Sequence, residues 1–178
     1  RLDTVGGAIS IEASAVTVNA SNFYNNSAQK GGALYVGGVG TNNYIYSSLF
    51  EGNIATGTGN MDGLGGAIDW VASSGTIVDT EFIHNCADYG GGVYFGGRSN
   101  ESIITSCIFT DNHAKFTGGA IDCNASNKGL YNTTFRYNCA QFGAALCREA
   151  NATKGHGTNN TFEYNHAYVS GAALGWII

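Results

Sequence analysis

Residues 104–121 read ITSCIFTDNHAKFTGGAI, and this stretch decides the fold. It holds Phe-x-x-Asn-x-Ala at Phe109, Asn112 and Ala114, followed by Gly-Gly-Ala-Ile at 118–121. The first element recurs as Phe23–Asn26–Ala28, Phe50–Asn53–Ala55, Phe82–Asn85–Ala87, Phe135–Asn138–Ala140 and Phe162–Asn165–Ala167. Successive Phe residues are 27, 32, 27, 26 and 27 residues apart. The second element recurs with its leading glycine at Gly6, Gly31, Gly65 and Gly91, and relaxes to Gly-Ala-Ala-Leu at Gly143 and Gly171. A third lies five residues before most of the Phe positions: Val18, Ile45, Ile77, Ile104 and Leu130, broken by Gly157. Chance does not produce six such matches, and internal repetition at 20–50 residues marks a solenoid, propeller or array.

The period is too long for a leucine-rich coil, too short for a propeller blade, and too rich in Gly for helical repeats. A parallel β-helix coil with three short strands and three turns fits it. The predicted fold is all-β, a parallel β-helix of about six coils with 26–27 residues each. Such coils stack about 4.8 Å apart, so like lies over like. The six Phe then form an aromatic stack, each burying up to ~200 Å², at most ~5 kcal/mol at about 25 cal/mol per Å². The six Asn form a ladder of side-chain amides at an inward corner. Ala follows because the corner is tight. The turn glycines Gly6, Gly31, Gly65, Gly91, Gly118, Gly143 and Gly171 supply positive φ at low steric cost. Period-2 alternation places Ile11, Val36, Trp70, Phe95, Cys123 and Trp176 in the core. Arg148 falls in the same column and predicts a local bulge.

Composition agrees with this reading. The chain has 27 Gly, no Pro, 43% hydrophobic residues and only 12% charged ones, with 9 Phe and 10 Tyr that require a core. The net charge is −5 and no basic run occurs, which excludes an electrostatic nucleic-acid binder. No apolar stretch approaches the roughly 20 residues of a membrane-spanning helix. No apolar leader opens the chain, and Arg1 reads as a cut point in a longer precursor.

The paired GGAI and FxxN signatures resemble the repeat of chlamydial polymorphic outer membrane proteins, a pattern similar to that of adhesin-like surface proteins of methanogens. The resemblance covers roughly residues 6–174. It implies a right-handed parallel β-helix exported to the cell surface and used in adhesion, with no catalytic residues to carry over.

Residues 1–178 are expected to form one repeat domain with no cofactor, metal or catalytic site. One coil is longer, with about six extra residues in the 54–64 segment. Insertions in solenoids project from one face and carry recognition. The expected partner is a glycan or protein on another surface. The alternative is further copies of the chain end to end, since both ends fall within Gly-Gly strands whose edges need covering. Polysaccharide lyase or hydrolase chemistry needs carboxylates clustered on one face. Asp69 and Asp122 share an outward position but lie two coils apart, so they read as surface polar residues. Gly155-His156-Gly157 is similar to a pectinase triplet but lacks its companion residues.

Three further features carry weaker chemistry. Oxygen donors in 57–63 could serve calcium, although a Gly-rich turn explains them. Cys86, His113, Cys139 and His166 follow the ladder Asn in adjacent coils; that column is too long to surround one zinc ion, and corner packing explains it. The other cysteines, Cys107, Cys123 and Cys147, are expected to be small buried apolar residues, and no pair is placed for a disulfide. Of seven Asn-x-Ser/Thr sequons, Asn100, Asn124 and Asn151 are the expected glycosylation sites of a surface glycoprotein.

Overall fold

The computed structural model describes residues 3–12, 15–59, 62–97, 99, 101–124, 128–149 and 155–176. Every strand is short, every pairing is parallel, and no helix occurs among these residues. The chain is a β-solenoid whose coils stack strand on strand.

Each coil contributes four short strands rather than three. The first sheet contains Ile9–Ile11, Leu34–Val36, Ile68–Trp70, Val93–Phe95, Ile121–Cys123, Leu146–Arg148 and Leu174–Trp176. The second contains Thr17–Asn19, Asn43–Tyr46, Gly75–Val78, Ile103–Thr105, Lys128–Tyr131 and Gly155–Thr158. The third contains Asn22–Tyr24, Leu49–Glu51, Glu81–Ile83, Ile108–Thr110, Thr134–Arg136 and Thr161–Glu163. The fourth contains Ser27–Ala28, Ile54–Ala55, Cys86–Tyr89, His113–Thr117, Cys139–Phe142 and His166–Ser170.

The extra corner arises from single left-handed residues. Ala20, Ser47, Asp79, Ser106, Asn132 and Asn159 all have positive φ and separate the second sheet from the third. A further column, Asn25, Gly52, His84, Asp111, Tyr137 and Tyr164, turns the chain just before each ladder Asn. A lone left-handed residue costs about 1–2 kcal/mol when it bears a Cβ, so these corners tolerate many residue types.

The corner before the first sheet tolerates only glycine. A Cβ on Gly118 would overlap the carbonyl of Ile121 and the amide of Asp122. Among the three consecutive glycines at 90–92, the residue with positive φ is Gly90, not Gly91. The ladder settles the frame: Val93 pairs with Ile68 and Ile121, so Gly90 aligns with Gly65 and Gly118. Three identical residues leave that frame ambiguous in the sequence.

Like sits over like inside the solenoid. Val18, Ile45, Ile77, Ile104, Leu130 and Gly157 are successive register partners. Phe23, Phe50, Phe82, Phe109, Phe135 and Phe162 stack with ring centroids 4.6, 5.2, 4.5, 5.1 and 5.1 Å apart and near-parallel planes. The first five rings are buried, whereas Phe162 is 40% exposed. Arg148 occupies its column in register between Cys123 and Trp176, with no bulge. The irregularities fall in the fourth sheet instead, between Ala87 and Tyr89 and at the equivalent points above.

Next to the Phe stack, Asn85 donates from Nδ2 to Phe50 O at 2.9 Å and to Asn112 Oδ1 at 3.0 Å. Its Oδ1 accepts from the backbone N and the Nδ2 of Asn53. The pattern repeats at Asn53, Asn112 and Asn138, with Asn26 and Asn165 at its two ends. These bonds satisfy polar groups that water cannot reach.

Candidate functional site

The long coil builds a groove. Thr56 N still donates to Ala28 O at 3.0 Å, after which the chain leaves the wall. It rejoins at Leu64, bridged to Lys30 on one side and Tyr89 on the other. Gln29 Nε2 donates to Thr58 Oγ1 at 3.0 Å, and Gly63 O accepts from the amides of Asp88 and Tyr89. The loop is therefore tied to both flanking coils. Between it and the coils beyond lies an open groove of about 420 Å³ lined by Thr58, Asp88, Tyr89, Lys115, Phe116 and the glycines 57 and 59.

Its chemistry is mixed. A Cβ on Gly57 or Gly63 would collide with the Asp88 carboxylate, so glycine lets that acid sit against the loop. Tyr89 and Phe116 lie 5.2 Å apart, tilted by 35°, and Lys115 Nζ is 4.8 Å from the Phe116 ring centroid. Two aromatic faces, charges of both signs and a hydroxyl thus meet in one place. Of the oxygen donors expected in the insertion, Asn60 lies outside the described residues.

Asp69 and Asp122 are not surface residues. Both are fully buried, in a column that runs Asp69, Tyr94, Asp122, Cys147 on the outer face of the first sheet. Thr117 Oγ1 donates to Asp122 Oδ2, and Lys30 contributes positive charge near Asp69. Both oxygens of Asp69 and Oδ1 of Asp122 have no hydrogen-bond partner. Burial pushes each carboxyl up to about 8, and at Asp122 the nearby Glu149 adds to the effect. Both are therefore largely neutral at pH 7.

Asn124 is half-buried, and its Nδ2, the atom an N-linked glycan would occupy, donates to Tyr94 Oη at 3.2 Å. Asn100 and Asn151 lie outside the described residues.

Cys86, His113, Cys139 and His166 are register partners in the fourth sheet. Cys86 Sγ approaches His113 Nδ1 at 3.8 Å. Burial holds the Cys86 thiol above its usual range, with Asp88 adding to the effect. No group of three or more His, Cys, Asp or Glu side chains is placed to hold a metal ion among the described residues. Cys107, Cys123 and Cys147 are buried, Cys86 and Cys139 are half-buried, and all five thiols are free.

The family model of the Chlamydia polymorphic membrane protein repeat matches residues 20–37 and 106–124. Each match takes in one Phe-x-x-Asn-x-Ala and the Gly-Gly turn after it. This chain carries repeats of the polymorphic membrane protein type. It is also 36% identical over 116 residues to the metabotropic glutamate receptor-like protein R of Dictyostelium discoideum, an alignment covering 64% of this chain. The matched region is 7% of that much longer protein. No solved structure matches the chain. Among the described residues, no helix is long and apolar enough to cross a membrane.

Proposed function

We propose that this chain is a non-catalytic adhesin-type module of the cell surface that holds a glycan through the groove at its long coil. The observation that carries this reading is the groove itself. A loop tied to both neighbouring coils sets Asp88 and Thr58 beside the Tyr89 and Phe116 rings. Aromatic faces pack against the C–H face of a sugar ring, while carboxylate, hydroxyl and ammonium groups exchange hydrogen bonds with its hydroxyls. The polymorphic-membrane-protein-type repeats support a surface location. The burial of Asp69 and Asp122 supports a non-catalytic role, because neither carboxyl reaches solvent where a polysaccharide would lie.

A glycan array probed with the intact chain tests the reading. Selective binding is expected, reduced at least tenfold by Phe116→Ala and by Asp88→Asn. Shortening the 57–63 loop to the length of the other coils should abolish it. Binding that survives all three changes would remove the groove from recognition. Retained binding to a protein-only surface would replace the glycan with a protein ligand.

A further inference from the structure

The fourth sheet carries one column of residues that begins each strand: Ile54, Cys86, His113, Cys139 and His166. Each follows a ladder Asn, and the backbone holds it in register. Cys86 N donates to Asn53 O and His113 N to Asn85 O, both at 2.9 Å. The next residues, Ala87 and Ala114, are buried, so Cys86 and His113 point out of the wall. Cys86 is half-buried and His113 exposed, so solutes reach the pair. Both lie in middle coils, with Ile54 on one side and Cys139 on the other.

Within this column Cys86 Sγ lies 3.8 Å from His113 Nδ1. An imidazole protonated at Nε2 presents its Nδ1 lone pair toward the sulfur. Bonds of about 2.3 Å to sulfur and about 2.0 Å to imidazole nitrogen set two such ligands about 3.5 Å apart around a tetrahedral ion and about 4.3 Å apart across a linear one. The observed gap falls between these, within reach of either by a small side-chain rotation. The number of ligands then decides. Among the described residues, no third His, Cys, Asp or Glu is placed to join the pair. Zinc takes three or four protein ligands. A soft monovalent ion is satisfied by two, and thiolate with imidazole is the donor set that suits Cu(I).

We infer that Cys86 and His113 form a two-coordinate site for Cu(I). As the sulfur–copper bond forms, the thiol proton passes to water, and His113 supplies the Nδ1 lone pair. Copper keeps its oxidation state throughout. Fixed strands hold the two ligands close before the ion arrives, which favours binding over that of a free thiol.

Anaerobic titration of the intact chain with Cu(I), in competition with bicinchoninate, tests this. One ion should be retained, and X-ray absorption at the copper edge should show one sulfur and one nitrogen bound in low coordination. Cys86→Ser and His113→Phe should each weaken binding by roughly a hundredfold or more, since each removes one of two bonds. Both side chains point outward, so melting temperatures close to that of the parent chain would show that the variants fold. Cys139→Ser should bind as the parent does. Failure to retain copper, undiminished binding by His113→Phe, a copper ion with four protein ligands, or loss of binding in Cys139→Ser would overturn the two-residue site.

Discussion

Two columns of buried polar side chains run along this solenoid, and they are built on opposite terms. At the Phe–Asn corner every carboxamide from Asn53 to Asn138 donates twice and accepts twice, to backbone and to its neighbours above and below. At the opposite shoulder, Asp69, Tyr94 and Asp122 are just as buried, yet three carboxyl oxygens lack partners. An amide can both give and take, so a stack of identical amides satisfies itself. A column of carboxylic acids and a phenol broken by unlike residues cannot. The first column stabilises the fold; the second costs stability and holds its acids protonated.

The sharpest way to break the contrast is at the satisfied corner. Asn112→Ala leaves Phe82 O and both Asn85 N–H groups without partners, and should cost about 3–6 kcal/mol in chemical denaturation. Phe109→Ala, in the adjoining stack, should cost about 3–5 kcal/mol through the cavity it leaves. A loss near zero for either would remove that column from the core.

At the shoulder the sign reverses. Asp122→Asn should stabilise the chain by about 1–3 kcal/mol at pH 8, because at that pH the unfolded carboxyl is ionised whereas burial opposes its ionisation in the folded chain. The pH dependence follows from the raised carboxyls. Their ordinary value is 3.8 and their folded value about 8, so the folded chain binds more protons than the unfolded one between those limits. Their contribution is fully present below about pH 4 and is lost as pH rises through about 8. Thermal melts should therefore fall from pH 5 to pH 8, and the Asp69→Asn, Asp122→Asn double variant should flatten most of that slope.

The smallest effect belongs to the tolerant corners. His84→Gly relieves a left-handed residue with φ of 53° but adds freedom to the unfolded chain, for a net change under about 1 kcal/mol. Gly118→Ala, at the corner where a Cβ meets backbone, should be far more damaging.

These contrasts explain what was legible in the sequence. Vertical stacking puts like over like, so the parallel solenoid and its coil length could be read from Phe and Asn recurring at one fixed step. The fourth strand could not, because its corner is turned by Ala20, Ser47, Asp79 and Asn132, which share a backbone conformation but no side-chain chemistry. Three glycines in a row hid the frame at Gly90. The burial of Asp69 and Asp122 depends on what packs against the outer face of their sheet, which no local sequence pattern marks. The 54–64 insertion stood out by length alone, but the coils beyond supply Asp88, Tyr89, Lys115 and Phe116 to its groove, and no local pattern marks them.

Vertical registration can be tested directly by cross-linking. Thr134 and Thr161 are partners in neighbouring coils of the third sheet, whereas Glu163 lies two residues further along the upper strand. Stacked partners are about 4.8 Å apart, within disulfide reach; the offset pair, roughly 8 Å apart, is not. Peptide mapping by mass spectrometry after mild oxidation should find the engineered disulfide in Thr134→Cys, Thr161→Cys and not in Thr134→Cys, Glu163→Cys. Equal cross-linking of both pairs, or cross-linking of the offset pair alone, would contradict the stacked register.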